Sequence, residues 1–231
     1  MTLNFSKHKQ ILLQMLKDIY TDISIAPHLG FKGGTAALLF YGLNRDSVDL
    51  DFDLLDAGKE KLVFEKIQII AAKYGRIVDS HAKRFNLVIV IAHDLKSQNI
   101  KIEVNRRNFG SKYVLKTLLG IGMLVMAEED MFANKLMALH ERIGKTSRDV
   151  YDAWFFLEHR WSINVKIIEQ RAGMSLSELL EKCVMQLENM NNRHVFVGLG
   201  ELLTDSQKDW VRAKLLSETI FLLKARLASE Q

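Results

Sequence analysis

The spacing of apolar positions changes along the chain. Over residues 6–25, Ile11, Leu12, Met15, Leu16 and Ile19 recur at helical intervals with Lys7, Lys9 and Lys17 between them, which predicts an amphipathic helix. A short strand at 29–32 runs into Gly33-Gly34-Thr35, and a helix is expected over 35–41. In Val48 to Leu55 the period drops to two: Val48, Leu50, Phe52 and Leu54 share one face of a strand, while Asp49, Asp51 and Asp53 share the other. A helix over Lys59 to Tyr74 with Leu62, Ile67, Ile70 and Ala71 inward follows, then β-type runs at Arg84 to Ala92 and Asn99 to Asn105. From Glu128 the pattern is helical, at Glu128 to Arg142, Ser147 to Glu158, Leu176 to Asn189 and Ser206 to Ala228. The change of pattern divides the chain into a mixed α/β domain, 1–118, and a helical domain, 119–231.

Composition narrows the class. Of 231 residues 48% are hydrophobic, enough for a sizeable core. The longest apolar stretches, Leu87 to Ala92 and Leu118 to Ala127, fall well short of the roughly 20 residues of a membrane span. The N-terminal helix pattern lacks the compact apolar block of a signal peptide, so a cytoplasmic protein with no membrane partner is expected. Cys183 is the only cysteine, which excludes an internal disulfide and a cysteine-based zinc site. The net charge of +4 permits a nucleotide or RNA partner without requiring one.

The candidate chemistry lies in the aspartate strand. Aspartate is a poor strand former and like charges repel, so an acidic strand face needs a cation. In "NIKIEVNRR", Ile100, Ile102 and Val104 alternate with Lys101, Glu103 and Asn105, which puts Glu103 on the polar face of a second strand. If the strands are neighbours, the carboxylates converge, and all-oxygen ligation suits Mg²⁺ or Mn²⁺. Gly33 and Gly34 let backbone approach a ligand, and a helix starting there favours an anion. Phosphate on the glycine turn with metal on the carboxylates describes a nucleoside triphosphate site. The blander reading is an ordinary half-exposed strand with an acidic outer face.

These residues resemble the nucleotidyltransferase superfamily that includes DNA polymerase β. Within it, "KGGTAALLFYGLNRDSVDLDF", followed by "EEDMFANKLMALHER" and "SRDVYDAWFFL", is similar to the abortive-infection AbiE toxin nucleotidyltransferases over about Phe31 to Leu157. The resemblance implies a polymerase β-like mixed sheet with a C-terminal helical domain, and an active site in the cleft between the two. It implies that Gly33, Gly34 and Thr35 cradle the triphosphate with help from Ser47. Asp49 and Asp51 would bind metal, and Glu103 would take the place of the third acidic residue, as a metal ligand or as a general base through water. It makes Lys135 a candidate catalytic contact to triphosphate or nucleic acid, with Arg142, Asp149 and Asp152 beside the nucleotide. Without it, Lys135 and Arg142 read as a solvated basic stripe and Asp149 and Asp152 as an acidic helix start. Asp53 matches no ligand position and is expected to be solvated. Lys101, Arg106, Arg107, Lys112 and Lys116 form a basic tract able to track an RNA backbone. The implied activity is Mg-dependent transfer of a nucleotide from an NTP to a hydroxyl, on tRNA or other RNA, by a toxin restrained by an antitoxin. A small-molecule or protein acceptor, or a non-catalytic nucleotide-binding regulator, are the alternatives.

Overall fold

The computed structural model describes residues 5–94 and 98–230. They form two compact units, one of Met1–Gly42 with Ser47–Ala127 and one of Leu43–Asp46 with Glu128–Gln231.

The first unit is built on a mixed sheet, seven-stranded among the described residues. Its strands are β1 (Leu29–Lys32), β2 (Leu50–Leu54), β3 (Arg76–Ala82), β4 (Asn86–Ala92), β5 (Ile100–Asn105), β6 (Tyr113–Leu118) and β7 (Ile121–Met126), in the order β3-β4-β5-β2-β1-β7-β6. β2 runs parallel to β5 and antiparallel to β1, so the aspartate strand is central. Helices α1 (Phe5–Thr21), α2 (Gly33–Tyr41) and α3 (Glu60–Ala72) pack against the strands. The alternation in β2 is the cause of this position. Leu50 and Phe52 are fully buried, and Phe52 lies opposite Phe31 of β1 with ring centroids 5.3 Å apart. Met15, Leu16 and Ile19 of α1 join this core. The Tyr20 hydroxyl lies 3.1 Å from the carbonyls of both Leu29 and Leu124, linking α1 to β1 and β7.

Several elements differ from their sequence pattern. α1 stops at Thr21, short of residue 25, because the Asp22 carboxylate accepts from the Ser24 backbone N–H at 3.0 Å and turns the chain ahead of Pro27. β3, β6 and β7 arise where no strand is expected. β3 is a sheet-edge strand with little apolar alternation, and the β6–β7 hairpin turns through Leu119 (φ 52°) and Gly120 (φ 80°). Because that hairpin belongs to the sheet, the first unit runs on to Ala127, past the boundary drawn near residue 118.

The second unit is helical: α4 (Glu128–Arg142), α5 (Arg148–Glu158), α6 (Val165–Ala172), α7 (Leu176–Glu188), α8 (Asp205–Trp210) and α9 (Leu216–Ala228). α5 contacts α4 and α9, and α7 contacts α9. Phe132 and Phe156 meet at 5.5 Å, and Leu176, Leu179, Leu180, Cys183, Val184 and Leu187 bury one stripe of α7. α7 begins on a capping box in which Ser175 and Glu178 satisfy each other's backbone N–H. The helix expected over 206–228 runs unbroken, with α8 and α9 joined by a π-helical turn at Val211–Leu215. Burial pushes the Cys183 thiol up to about 12, leaving it a packing residue. No helix among the described residues is long and apolar enough to cross a membrane.

Candidate active site

The glycine turn and the aspartate strand are fitted to each other. Gly33 has φ of 80°, which disfavours any residue with a Cβ, and a Cβ there would also collide with the Asp51 carboxylate. Lys32, which precedes it, is the register partner of Asp51 on β1. Lys32, at the N-cap of α2, makes no side-chain cap hydrogen bond, and the helix starts at Gly33 against the Asp51 carboxylate. Thr35 is buried. Its hydroxyl lies 2.9 Å from the Ser47 hydroxyl and donates to the Asp49 carbonyl, which ties the aspartate segment to the helix start. Thr35 and Ser47 thus position Asp49 through hydrogen bonds of their own, and Asp49 itself lies just ahead of β2.

Across the sheet, Asp51 is the register partner of Glu103 on β5. Glu103 accepts from Asn86 Nδ2 at 2.6 Å and from Lys101 Nζ at 2.7 Å. Desolvation, reinforced by Asp49 and Glu103 and opposed by Lys101 and Lys32, raises the Asp51 carboxyl above the usual carboxylate range. Burial works against the Lys101 ammonium, yet Asp51, Glu103 and Asp49 keep its pKa above the ordinary lysine value. No three carboxylate, imidazole or thiol side chains among the described residues are gathered into a group that could hold a metal ion. The donor chemistry nevertheless fits one. Asp49, Asp51 and Glu103 offer only carboxylate oxygens, and Asp51 carries charge that its surroundings disfavour, which a hard divalent cation would relieve.

Asp53 is not solvated. It is 8% exposed and accepts from Lys32 Nζ at 2.5 Å, Asn105 Nδ2 at 2.6 Å and the Tyr113 hydroxyl. Gly30, its register partner, is glycine because a Cβ would collide with the Tyr113 ring. The third aspartate is therefore a junction of β1, β2, β5 and β6. Its position near the end of β2 suggested exposure, but β1 and β5 flank it and Tyr113 covers it.

The candidate residues of the helical unit form a second ionic cluster. Arg45 holds Asp152 in a fork, Nε to Oδ1 at 2.6 Å and Nη2 to Oδ2 at 2.8 Å, with Arg45 5% and Asp152 0% exposed. Lys135 Nζ lies 2.5 Å from Asp152 Oδ2 and 3.9 Å from Asp149 Oδ1, and Arg142 Nη2 donates to Asp149 Oδ1 at 2.8 Å. Burial alone would raise the Asp152 carboxyl, but Arg45 and Lys135 hold it at about 2. The solvated basic stripe is thus half right. Arg142 is the exposed cation, with a side chain 47% exposed, whereas that of Lys135 is 13% exposed and committed to two aspartates. Asp149 and Asp152 act as buried counter-ions, and Asp149 orients both cations. Arg45, which lies just before Ser47 in the quoted "KGGTAALLFYGLNRDSVDLDF", has no periodic signal that marks it, and neither have Asn86 and Tyr113.

No curated protein sequence matches significantly. The fold is similar to a crystal structure of a candidate nucleotidyltransferase from H. pylori, with TM-score 0.56 and 17% identity over 97% of this chain and 96% of that one. It is also similar to the crystal structure of JHP933 from Helicobacter pylori, with TM-score 0.52 and 19% identity over 96% of each chain. At these identities the likeness is one of fold. Residues 14–174 match the model of the nucleotidyl transferase AbiEii toxin family of type IV toxin–antitoxin systems. With the glycine turn, the paired strand carboxylates and the Arg-Asp-x-x-Asp helix all inside that match, the chain belongs to the AbiEii nucleotidyltransferase toxins.

Proposed function

We propose that the protein transfers a nucleoside monophosphate from an NTP to a hydroxyl of RNA, tRNA foremost, with Mg²⁺, as the toxin of a pair whose antitoxin restrains it. The observation that carries this reading is the row Lys32, Asp51, Glu103 across β1, β2 and β5, with the Asp51 carboxylate against Gly33 at the start of α2. The N–H groups at the start of α2 are suited to the triphosphate. Asp49 and Asp51 are assigned to hold Mg²⁺, which would supply charge neutralisation for the attacking and departing oxygens. Glu103, released from Lys101, is assigned to take the proton of the acceptor hydroxyl. That oxygen bonds to the α-phosphorus, the bond from the α-phosphorus to the β-bridging oxygen breaks, and pyrophosphate carries away the electron pair. Lys101 and Lys32 balance the carboxylates in the absence of substrate.

The test is incubation of the protein with total RNA and each α-labelled NTP with Mg²⁺. Label is expected in RNA with one NTP preferred, and lost on Asp51→Asn or addition of EDTA. Label confined to small metabolites or protein, or none with any NTP while Mg-NTP still shifts Tm, would overturn the RNA reading.

A further inference from the structure

The turn between β3 and β4 and the segment leaving β5 meet in a patch that the proposed chemistry does not use. The Arg106 backbone N–H donates to the Phe85 carbonyl at 2.7 Å, which joins the two segments. Phe85 is 44% exposed. The Arg84 guanidinium lies 5.0 Å from its ring centroid and that of Arg107 lies 5.1 Å away, with Arg107 also 5.6 Å from the Phe109 ring. Arg106 is neutralised by Glu60 at 2.6 Å. Neither Arg84 nor Arg107 makes an ion pair among the described residues, and Lys83, Arg84, Phe85 and Arg107 are all exposed.

Two like charges held on one exposed ring, with no carboxylate among the described residues pairing either of them, leave a cationic aromatic surface to which a polyanion is complementary. The geometry is specific as well as charged. An aromatic face framed by planar guanidinium groups recognises flat bases, whereas an acidic peptide would need only the charge. The patch is also placed for it: Arg107 Nε donates to Asn105 Oδ1 at 3.2 Å, and Asn105 ends the strand that carries Glu103.

We infer that Phe85, with Arg84 and Arg107, is a docking surface for single-stranded RNA, stacking an unpaired base on the ring while the guanidinium groups hold flanking phosphates. The inference rests on the RNA-acceptor reading and extends it to the residues that hold the acceptor.

The test is binding of the full chain to a short labelled single-stranded RNA by fluorescence anisotropy across a salt series. Phe85→Ala is expected to weaken binding about tenfold and Phe85→Trp to retain it, since stacking tolerates any aromatic face. An abasic oligonucleotide of the same length is expected to bind wild type and Phe85→Ala equally. Arg107→Gln should lower the salt slope by about one phosphate contact. Unchanged affinity in a Phe85→Ala protein with wild-type Tm, or equal binding of abasic and ordinary RNA by the wild type, overturns the inference. Mg-NTP thermal shifts on the same variants separate it from the function above. RNA bound through Phe85 but never labelled would sink transfer to RNA and leave the patch standing; RNA labelled equally well by Phe85→Ala would sink the patch and leave the function.

Discussion

A carboxylate that accepts from Tyr113, Lys32 and Asn105 has its oxygens occupied, so Asp53 holds the sheet together and Asp51, one turn of the pleat away, is left to meet a ligand. Replacing the two by asparagine should separate these roles. Asp53→Asn removes the carboxylate to which Lys32, Asn105 and Tyr113 all donate and should cost about 2–4 kcal/mol in denaturant unfolding. Asp51→Asn removes a charge the fold disfavours, because the raised carboxyl binds its proton more readily folded than unfolded. It should therefore unfold no more easily than wild type while losing the Mg-NTP rise in Tm; equal destabilisation by both substitutions would contradict the assignment. Asp152 has the opposite sign. Its folded value of about 2 lies below the ordinary aspartate value, so its contribution is complete above about pH 4 and is lost as the pH falls toward 2. Asp152→Asn should flatten that part of the acid unfolding curve. It should also cost about 3–5 kcal/mol at neutral pH, by leaving Arg45 buried without its carboxylate.

At the scale of elements, legibility followed the strength of the periodic signal. β1 and α4 have the limits their patterns predict, and β2, α5 and α7 differ by a residue or two, because each pairs a clear apolar stripe with a polar one. The β6–β7 hairpin was hidden by its turn. Both turn residues adopt left-handed backbone, which Asn-Gly would have announced; here Leu119 takes the first position, 74% exposed and strained by its Cβ. Leu119→Asn should stabilise the protein by about 0.5–1 kcal/mol in chemical denaturation. A loss of stability would mean that Leu119 packs in solution as it does not here. Gly33→Ala tests the other special backbone position. Its strain and its collision with Asp51 should abolish the Mg-NTP thermal shift, whereas Gly120→Ala, with open space around its Cβ, should keep that shift and lose only turn stability.

At the scale of the whole molecule, the carboxylates were legible because alternation along a single strand selects them, and the glycine turn because its order before that strand is fixed. Their partners were not. Lys101 shares the face of Glu103 by alternation along β5, but that Asn86 holds Glu103 and that Tyr113 covers Asp53 depend on β4 and β6 lying where long-range pairing puts them, which no local period encodes. Arg45 escaped for a related reason: it falls among residues 43–46, between α2 and β2, yet belongs to the helical unit, where Tyr151 and Gln207 donate to the Asn44 carbonyl at 2.7 and 2.6 Å. This membership makes the helical unit discontinuous in the gene. A single cut at Glu128 would deprive it of the guanidinium that neutralises Asp152, so a fragment starting there should unfold more readily than the same unit in the full chain. Recombination between relatives faces the same constraint: an exchange of the C-terminal half is tolerated only if the incoming Asp152 equivalent meets a compatible arginine already encoded more than eighty codons upstream.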